Sequence, residues 1–223
     1  MENNPVIYVL AGPNGVGKTT LNPYFIPNGI AYINADDMAR QLRERLGDIN
    51  VQELANAQAL ERMNKYIAKR ESFAIETNLA DKETWQFLIG VQGLGYVIHL
   101  NFFGVSDVAV CINRVINRVL QGGHFVHPDI VRMRYEAGLK LLKHYKDIPN
   151  RLILTDNTTE SVNCVELSLG AILKKNENLP DWILFIFSES LSRHHSLSST
   201  DEAKEKYRQM KSGEEDKVND NDL

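Results

Sequence analysis

The sequence predicts an α/β fold in which helices cover both faces of a mostly parallel β-sheet. Apolar, strand-like segments alternate with helical segments along most of the chain, and a glycine-rich loop directly follows the first apolar segment. With 223 residues, 43% of them hydrophobic and 24% charged, the chain is long enough for one such domain with a sizeable core.

The first half of the chain begins with the apolar strand "VIYVLAG", and a second strand, "AYIN", ends at Asp36. Pro23 lies five residues after Lys18 and should end or bend the first helix early, because proline removes a helical hydrogen bond. A long helix follows Val51, since its apolar residues recur at helical spacing on one face. Those residues are Leu54, Ala57, Leu60, Met63 and Ile67.

The second half continues the alternation with the strand "SFAIET" and the helix "DKETWQFLIGVQGL", which Asp81 should cap. The strand "YVIHLNFFG" precedes the helix "SDVAVCINRVINRVLQ", for which we predict a cap at Ser106 and a stop at Gly122-Gly123. Another helix is expected from Pro128 to about His144, followed by the strand "RLILTD".

The segment that follows, "VNCVELSLGAILKKNENLPDWILFIFS", suggests extra strands or a hairpin rather than another crossover unit. We interpret "WILFIFS" as a packed strand rather than a binding groove. Trp182 and Phe185 are candidates for the core or for a partner contact, and we favour the core. The composition then changes near residue 188, so residues 1–187 are predicted to form the domain. Residues 188–223 hold nine of the 29 acidic and six of the 25 basic residues and few large apolar ones. We expect this tail to be largely disordered, with a short helix around residues 201–210 as a candidate element.

Composition also narrows the partners and the compartment. The net charge of −4 gives no basic signature of nucleic-acid binding, and no apolar run approaches the length of a membrane span. Cys111 and Cys164 lie far apart, without metal-ligand spacing or a disulfide framework. The start of the chain lacks the basic segment of a secretory signal, so we expect a cytoplasmic protein with no nucleic-acid or membrane partner.

The strongest motif is "GPNGVGKT", which fits the phosphate-loop pattern G-x-x-x-x-G-K-[ST] and follows an apolar strand, as the motif requires. Its glycines let backbone N–H groups turn toward phosphates, Lys18 adds a charge for the β- and γ-phosphates, and the Thr19 hydroxyl can bind Mg²⁺. The motif predicts ATP and Mg²⁺ as cofactors. The candidate binding residues are Gly12, Pro13, Asn14, Gly15, Val16, Gly17, Lys18, Thr19 and Thr20.

Acidic residues follow two of the predicted strands, at the end of the sheet where ligands bind in parallel α/β folds. Asp36 and Asp37 come after "AYIN", where a carboxylate can deprotonate a hydroxyl beside the γ-phosphate or can simply cap the next helix. Glu76 and Thr77 end "SFAIET". There the Glu76 carboxylate could hold Mg²⁺ through water or bind a substrate hydroxyl.

Arginines flank a glycine-containing loop in "RVINRVLQGGHFVHPDIVRMR". Arg114 and Arg118 share one helix face, and Arg132 and Arg134 lie on or near the next helix. Together with the upstream phosphate loop, this pattern predicts a lid over about residues 114–134 that closes arginines over the phosphates.

Two polar groups are ambiguous by sequence. His124, His127 and Asp129 could suggest a metal site, but a polar role in the lid is favoured, because no cysteine cluster supports a metal. Asp156-Asn157 ends a strand and could approach the purine or simply turn the chain, and we favour the turn.

The order of the blocks "AGPNGVGKTT", "INADD", "FAIETNLA", "RVINRVLQGGHFVHPDIVRMRYEAGL" and "DN", over about residues 6–157, resembles the zeta-toxin-like P-loop proteins, in particular their bacterial predicted-ATPase branch. The resemblance implies a P-loop kinase-like three-layer sandwich with a Gly-hinged lid. Characterised zeta toxins are toxin–antitoxin kinases that phosphorylate UDP-N-acetylglucosamine on a sugar hydroxyl.

The resemblance also implies residue roles. The phosphate-loop lysine matches Lys18, and the position that binds Mg²⁺ with ATP matches Thr19. The catalytic base matches Asp36, and the substrate-side glutamate matches Glu76. The lid arginines match Arg118 and either Arg132 or Arg134. The chain reads Glu-Thr-Asn after the third strand, where zeta toxins have a glycine and a later threonine, so the sugar-nucleotide substrate is less strongly implied than phosphate transfer.

Two function classes follow. The first is a kinase that acts on a hydroxyl of a small molecule, with the catalytic candidates Asp36, Lys18, Arg118 and Arg134 and the substrate-binding candidates Glu76, Thr77, Asp37, Arg114, Arg132 and His124. The second is a P-loop ATPase or ATP-binding protein without a small-molecule acceptor, acting through an antitoxin-like protein. The LSGGQ-like signature of a transport ATPase is absent from the sequence.

Overall fold

The computed structural model describes residues 4–47, 50–121, 123 and 125–188. The strands are β1 (Val6–Ala11), β2 (Ala31–Asn34), β3 (Phe73–Thr77), β4 (Val97–Gly104), β5 (Arg151–Asp156), β6 (Val162–Ser168) and β7 (Ala171–Lys175). The helices are α1 (Lys18–Phe25), α2 (Ala35–Leu46), α3 (Val51–Lys69), α4 (Lys82–Gly93), α5 (Val108–Leu120), α6 (Pro128–Tyr145) and α7 (Asp181–Phe187). The predicted tail helix and most of the predicted tail lie outside the described residues.

The strands form one seven-stranded sheet in the order β2-β3-β1-β4-β5-β6-β7. The first five are mutually parallel, whereas β6 and β7 add an antiparallel hairpin at one edge. The predicted α/β class with a mostly parallel sheet is therefore confirmed, as is the expected hairpin.

Each face of the sheet carries its own core, because successive side chains of a strand point to opposite faces. Val9 packs into the larger cluster, which the sheet shares with α2, α3, α4, α6 and α7. Leu10, the next residue, packs into the smaller cluster, which includes residues of α1 and α5. This three-layer arrangement brings the carboxyl ends of β1, β2 and β3 together at one rim of the sheet.

Several local predictions need correction. "WILFIFS" forms the helix α7 rather than a strand, because it follows Pro180 at the N-cap and buries Trp182 and Ile183 on one side. Phe185 is 39% exposed, so it is not a core residue. The cap of α5 is Asp107 rather than Ser106, since the Asp107 carboxylate accepts a hydrogen bond from Ala109 N.

Two corrections concern the segment after the first strand. The strand β2 ends at Asn34, and Asp36 belongs to the first turn of α2 rather than to the end of the strand. On α3 the buried face is Val51, Ala55, Ala59 and Ile67, whereas Leu54 and Leu60 are exposed.

The prediction that the first helix ends early near Pro23 is confirmed. Pro23 lies inside α1, which has eight residues and ends two residues later at Phe25. Among the described parts of the chain, no helix is both long and apolar enough to cross a membrane.

Candidate functional site

The loop between β1 and α1 is built around three glycines with left-handed backbone angles: Gly12, Gly15 and Gly17 have φ of +138°, +81° and +99°. A Cβ added at Gly12 would lie 2.3 Å from Phe103 O, and one added at Gly15 would lie 2.3 Å from Cys111 O. Only glycine allows this conformation and this close approach. The loop therefore forms a backbone cradle at the N-terminus of α1, the arrangement that binds phosphate.

Lys18 is the first residue of α1 and is only 6% exposed. Its ammonium donates to Gly12 O at 2.7 Å, to Pro13 O at 3.2 Å and to Asn78 Oδ1 at 3.3 Å. Burial lowers the pKa of Lys18, and the nearby carboxylates of Glu76 and Asp36 act in the opposite direction. The loop carbonyls and Asn78 thus hold the lysine at the floor of the site.

Glu76 reaches the same rim because β3 lies beside β1, with Glu76 opposite Leu10 in the parallel register. The Thr19 hydroxyl lies 3.0 Å from Glu76 Oε2 and 3.2 Å from Oε1, and the Tyr32 hydroxyl also donates to Oε2. The hydroxyl proton of Thr19 is therefore directed at a carboxylate. This leaves the oxygen lone pairs of Thr19 available to a cation.

The Asp36 side chain is exposed in the first turn of α2. The cap of this helix is Asn34, whose Oδ1 accepts from Asp36 N at 3.0 Å and Asp37 N at 3.3 Å. A capping role for either aspartate side chain is therefore wrong. Asp36 points into the site, whereas Asp37 pairs with Arg40 at 3.2 Å.

Two cavities meet at this rim. The smaller, of about 240 Å³, is lined by Asn14, Gly15, Gly17, Lys18, Thr19, Thr20, Asp36, Glu76, Arg114 and Arg118. The larger, of about 660 Å³, is lined by Asn14, Lys18, Asn34, Ala35, Asp36, Arg43, Gln52, Asn56, Glu76, Thr77, Asn78, Asp81, Thr84, Phe125, Val126, His127, Ile130 and Arg134. Asn14, Lys18, Asp36 and Glu76 border both cavities.

The four candidate arginines occupy different places. Arg114 and Arg118 line the smaller cavity, and the Arg114 guanidinium also donates to the backbone oxygens of residues 157 and 158. Arg134 lines the larger cavity and donates to Asn14 Oδ1 at 2.8 Å. Arg132 is exposed on α6, apart from the described residues that line the two cavities.

The loop between α5 and α6 is described only in part, and the predicted positions Gly122 and His124 lie outside the described residues. His127 caps α6 and lines the larger cavity, and its Nδ1 lies 3.4 Å from Asp129 Oδ2. Within the described ranges, no group of three or more His, Cys, Asp or Glu residues could hold a metal ion.

Two asparagines that support the phosphate loop were not assigned that role from the sequence. Asn78 contacts Lys18, and the Asn157 amide donates to Val16 O at 2.7 Å. Neighbouring Asp156 accepts a hydrogen bond from Trp182 Nε1 at 2.8 Å, which ties α7 to the same strand end. Both asparagines directly follow the carboxyl end of a parallel strand, where ligands bind in such sheets. Their position after a predicted strand could therefore have identified them from the sequence.

The residues fit an ATP phosphate chain with Mg²⁺. The glycine cradle supplies backbone N–H donors, Lys18 supplies a cation, and Thr19 presents hydroxyl lone pairs beside the Glu76 carboxylate. Gly15, Gly17, Lys18, Thr19 and Glu76 all line the smaller cavity, whose lining also includes Arg114 and Arg118.

A protein of Haemophilus influenzae described only as uncharacterized is 31% identical to the chain over 138 residues, which cover 60% of this chain and 94% of the relative. No protein-family model matches the chain.

Several solved structures share the fold. A chain of the AvrRxo1-ORF1:AvrRxo1-ORF2 structure with sulphate ions has a TM-score of 0.64 at 13% identity, covering 93% of this chain and 77% of that one. The corresponding structure with ATP gives 0.60 at 14%, covering 92% and 77%. A chain of the PezAT chromosomal toxin–antitoxin system of Streptococcus pneumoniae gives 0.54 at 14%, covering 94% and 88%. At such identities the likeness shows the fold alone, which is the α/β fold described above.

Proposed function

We propose that the chain, which belongs to the same family as the Haemophilus influenzae protein, is an ATP-dependent phosphotransferase that transfers the γ-phosphate of ATP to a hydroxyl of a small molecule. One observation carries this proposal. The phosphate-loop lysine and the two carboxylates Asp36 and Glu76 border both cavities. A phosphate bound in the smaller cavity would thus face the larger cavity, with Lys18, Asp36 and Glu76 between them. These are the residue types that phosphate transfer requires.

The smaller cavity is the nucleotide side in this proposal. The loop between β1 and α1 binds the phosphate chain through backbone N–H groups, and Lys18 offsets charge on the β- and γ-phosphates. Thr19 would hold Mg²⁺, which when bound supplies positive charge that stabilises the transferring phosphate. The structure with ATP among the similar folds supports ATP as the nucleotide.

The transfer itself assigns a role to Asp36. Its exposed carboxylate accepts the proton of the acceptor hydroxyl, whose oxygen forms the new bond to the γ-phosphorus as ADP leaves. Arg118 on the nucleotide side and Arg134 on the acceptor side offset the charge that the phosphoryl oxygens carry. The predicted lid over about residues 114–134 would close these arginines over the reacting groups and exclude water.

The larger cavity is the acceptor side. Its volume of about 660 Å³ lies within the range of small-molecule sites, about 300–1,000 Å³. Neutral amide and hydroxyl side chains contribute much of its lining, among them Asn34, Gln52, Asn56, Thr77 and Thr84. Such groups hydrogen-bond to a polyhydroxylated molecule. We therefore propose a sugar-containing acceptor, with nucleotide sugars such as UDP-N-acetylglucosamine as the first compounds to test.

The experiment is a screen for transfer of labelled γ-phosphate from ATP to nucleotide sugars and other hydroxylated metabolites, with Asp36→Asn as the control. We expect the wild-type chain to label an acceptor and the variant to lose that labelling while still binding ATP. Release of free phosphate with no labelled acceptor would contradict the kinase proposal and favour an ATPase.

A second candidate is an ATP-binding protein that acts through an antitoxin-like partner in the cytoplasm. The similar structures support it, since their names describe two-component assemblies: AvrRxo1-ORF1 with ORF2, and the PezAT toxin–antitoxin system. Expression of the wild-type chain and of Lys18→Ala in bacterial cells tests whether the protein is a toxin. Growth arrest by the wild type that Lys18→Ala relieves would support a toxin, and normal growth with both would argue against one.

A further inference from the structure

We infer that Tyr32 and Asn34 are positioning residues that fix the two carboxylates of the site, Asp36 and Glu76, relative to each other. The inference rests on the proposed function, because it concerns how the same site holds Mg²⁺ and the acceptor hydroxyl. It goes beyond that function by assigning roles to two side chains of β2.

From one buried position, Asn34 contacts the backbone of Asp36 and the hydroxyl of Tyr32, which in turn contacts Glu76. Asn34 ends β2 and is 6% exposed. Its Oδ1 accepts from the backbone N–H groups of Asp36 and Asp37, which fixes the first turn of α2 and with it the backbone position from which the Asp36 side chain extends. Its Nδ2 donates to the Tyr32 hydroxyl at 3.4 Å.

Tyr32 links Asn34 to Glu76 through the two hydrogen bonds of its hydroxyl. Its hydroxyl accepts from Asn34 and donates its single proton to Glu76 Oε2. Burial, with the negative charge of Glu76, raises the pKa of Tyr32, so the phenol keeps the proton that it donates. Tyr32 is not among the described residues that line the two cavities, so we expect its effect on Mg²⁺ binding to act through Glu76, which accepts its hydrogen bond.

The chain of contacts ends at the phosphate loop. Glu76 accepts a hydrogen bond from the Thr19 hydroxyl. This hydrogen bond orients the lone pairs of the Thr19 oxygen toward the position that Mg²⁺ would occupy. An outer carboxylate that is itself held by a hydrogen bond keeps such a ligand in one orientation. Without the Tyr32 hydroxyl, the Glu76 carboxylate is free to rotate about its terminal bond, and Thr19 loses its fixed acceptor.

The parallel pairing of β2 with β3 explains why this contact can form. Tyr32 lies opposite Ala74 and Asn34 lies opposite Glu76 in the register. The side chains of Tyr32 and Asn34 point to the same side of the sheet, because they are two residues apart on one strand. The network therefore depends on the backbone register, which places all its members at one rim.

The test is the affinity for ATP with Mg²⁺ and with EDTA, measured by titration calorimetry on the full chain. Tyr32→Phe removes only the hydroxyl and should lower the gain in ATP affinity that Mg²⁺ produces by roughly tenfold. The affinity in EDTA should stay within about twofold of the wild type. Tyr24→Phe is the matched control, because Tyr24 is 82% exposed on α1, and it should behave as the wild type.

Two further variants test the route. In a Glu76→Ala background, which has no acceptor for the Tyr32 hydroxyl, Tyr32→Phe should have no additional effect, since a residue that acts through Glu76 cannot act without it. Asn34→Ser keeps an acceptor for the α2 cap but lacks the amide Nδ2 that donates to Tyr32, and it should lower the Mg²⁺ gain less than Tyr32→Phe does.

The possible results distinguish the inference from the proposed function. An unchanged Mg²⁺ gain in Tyr32→Phe, or an equal loss of affinity with Mg²⁺ and with EDTA, overturns the inference and leaves the proposed function standing. An additional loss in the Glu76→Ala background overturns the route through Glu76. A wild-type chain that binds no ATP under either condition overturns both the inference and the proposed function.

Discussion

The hydroxyl of Thr19 lies 3.0 Å from Glu76 Oε2, although 57 positions separate the two residues in the chain. Thr19 is the second residue of the helix α1, and Glu76 lies near the end of β3, the neighbour of β1 in the sheet. The contact joins the nucleotide side of the site to the carboxylate that also borders the acceptor side.

Replacement of Thr19 by valine should weaken Mg²⁺-dependent binding of ATP by roughly tenfold or more, because the variant keeps the shape but has no hydroxyl for the cation. Thr19→Ser is the matched control and should retain most of the wild-type affinity. Calorimetric titration of ATP in the presence of Mg²⁺ measures both. Equal affinities of the valine and serine variants would argue against a cation role for Thr19.

Asp36→Asn should lower the rate of phosphate transfer by about a hundredfold or more while leaving ATP binding unchanged, because an amide cannot accept the acceptor's proton. Asp37→Asn offers a direct contrast, since Asp37 pairs with exposed Arg40 rather than facing either cavity. The readout is transfer of labelled phosphate by the two variants side by side. A larger loss for Asp37→Asn would reverse the assignment of the base.

Arg134→Ala should reduce the transfer rate by about a hundredfold, because its guanidinium borders the acceptor cavity and donates to Asn14 of the phosphate loop. Arg132→Ala removes a like charge two residues away on the exposed side of α6 and should have little effect. Steady-state rates for the pair decide which arginine belongs to the lid. The assignment of Arg134 fails if both variants lose activity equally.

Gly15→Ala should destabilise the fold more than Gly29→Ala does. Both glycines have φ near +80°, so alanine strains either one by about 1 kcal/mol. At Gly15 the added Cβ also meets Cys111 O at 2.3 Å, whereas nothing lies within 4 Å of one at Gly29. The overlap should add about 1–3 kcal/mol to the loss in free energy of unfolding. Denaturant titration of both variants measures the difference, and equal losses would show that the loop yields to the Cβ.

Much of the fold could be predicted because its signals are local. The periods of apolar residues gave the strands, and proline and aspartate gave the early end of α1 and the cap of α4 at Asp81. Errors arose where neighbouring residues compete. Ser106 and Asp107 are both good caps, and only the backbone path selects Asp107. A short apolar run such as "WILFIFS" has no period that separates a strand from a buried helix.

The sequence by itself determined the phosphate loop, because its three glycines, its lysine and its threonine lie in one short motif that directly follows a strand. It also indicated that Asp36 and Glu76 lie near the carboxyl ends of two strands, and parallel strands share one rim. Only the tertiary structure decided which side chains meet there. Asp37 turns toward Arg40, Arg134 rather than Arg132 borders the cavity, and Tyr32, Asn34 and Asn157 hold their neighbours. Such contacts depend on the order and register of strands far apart in the chain, which local residue patterns do not encode.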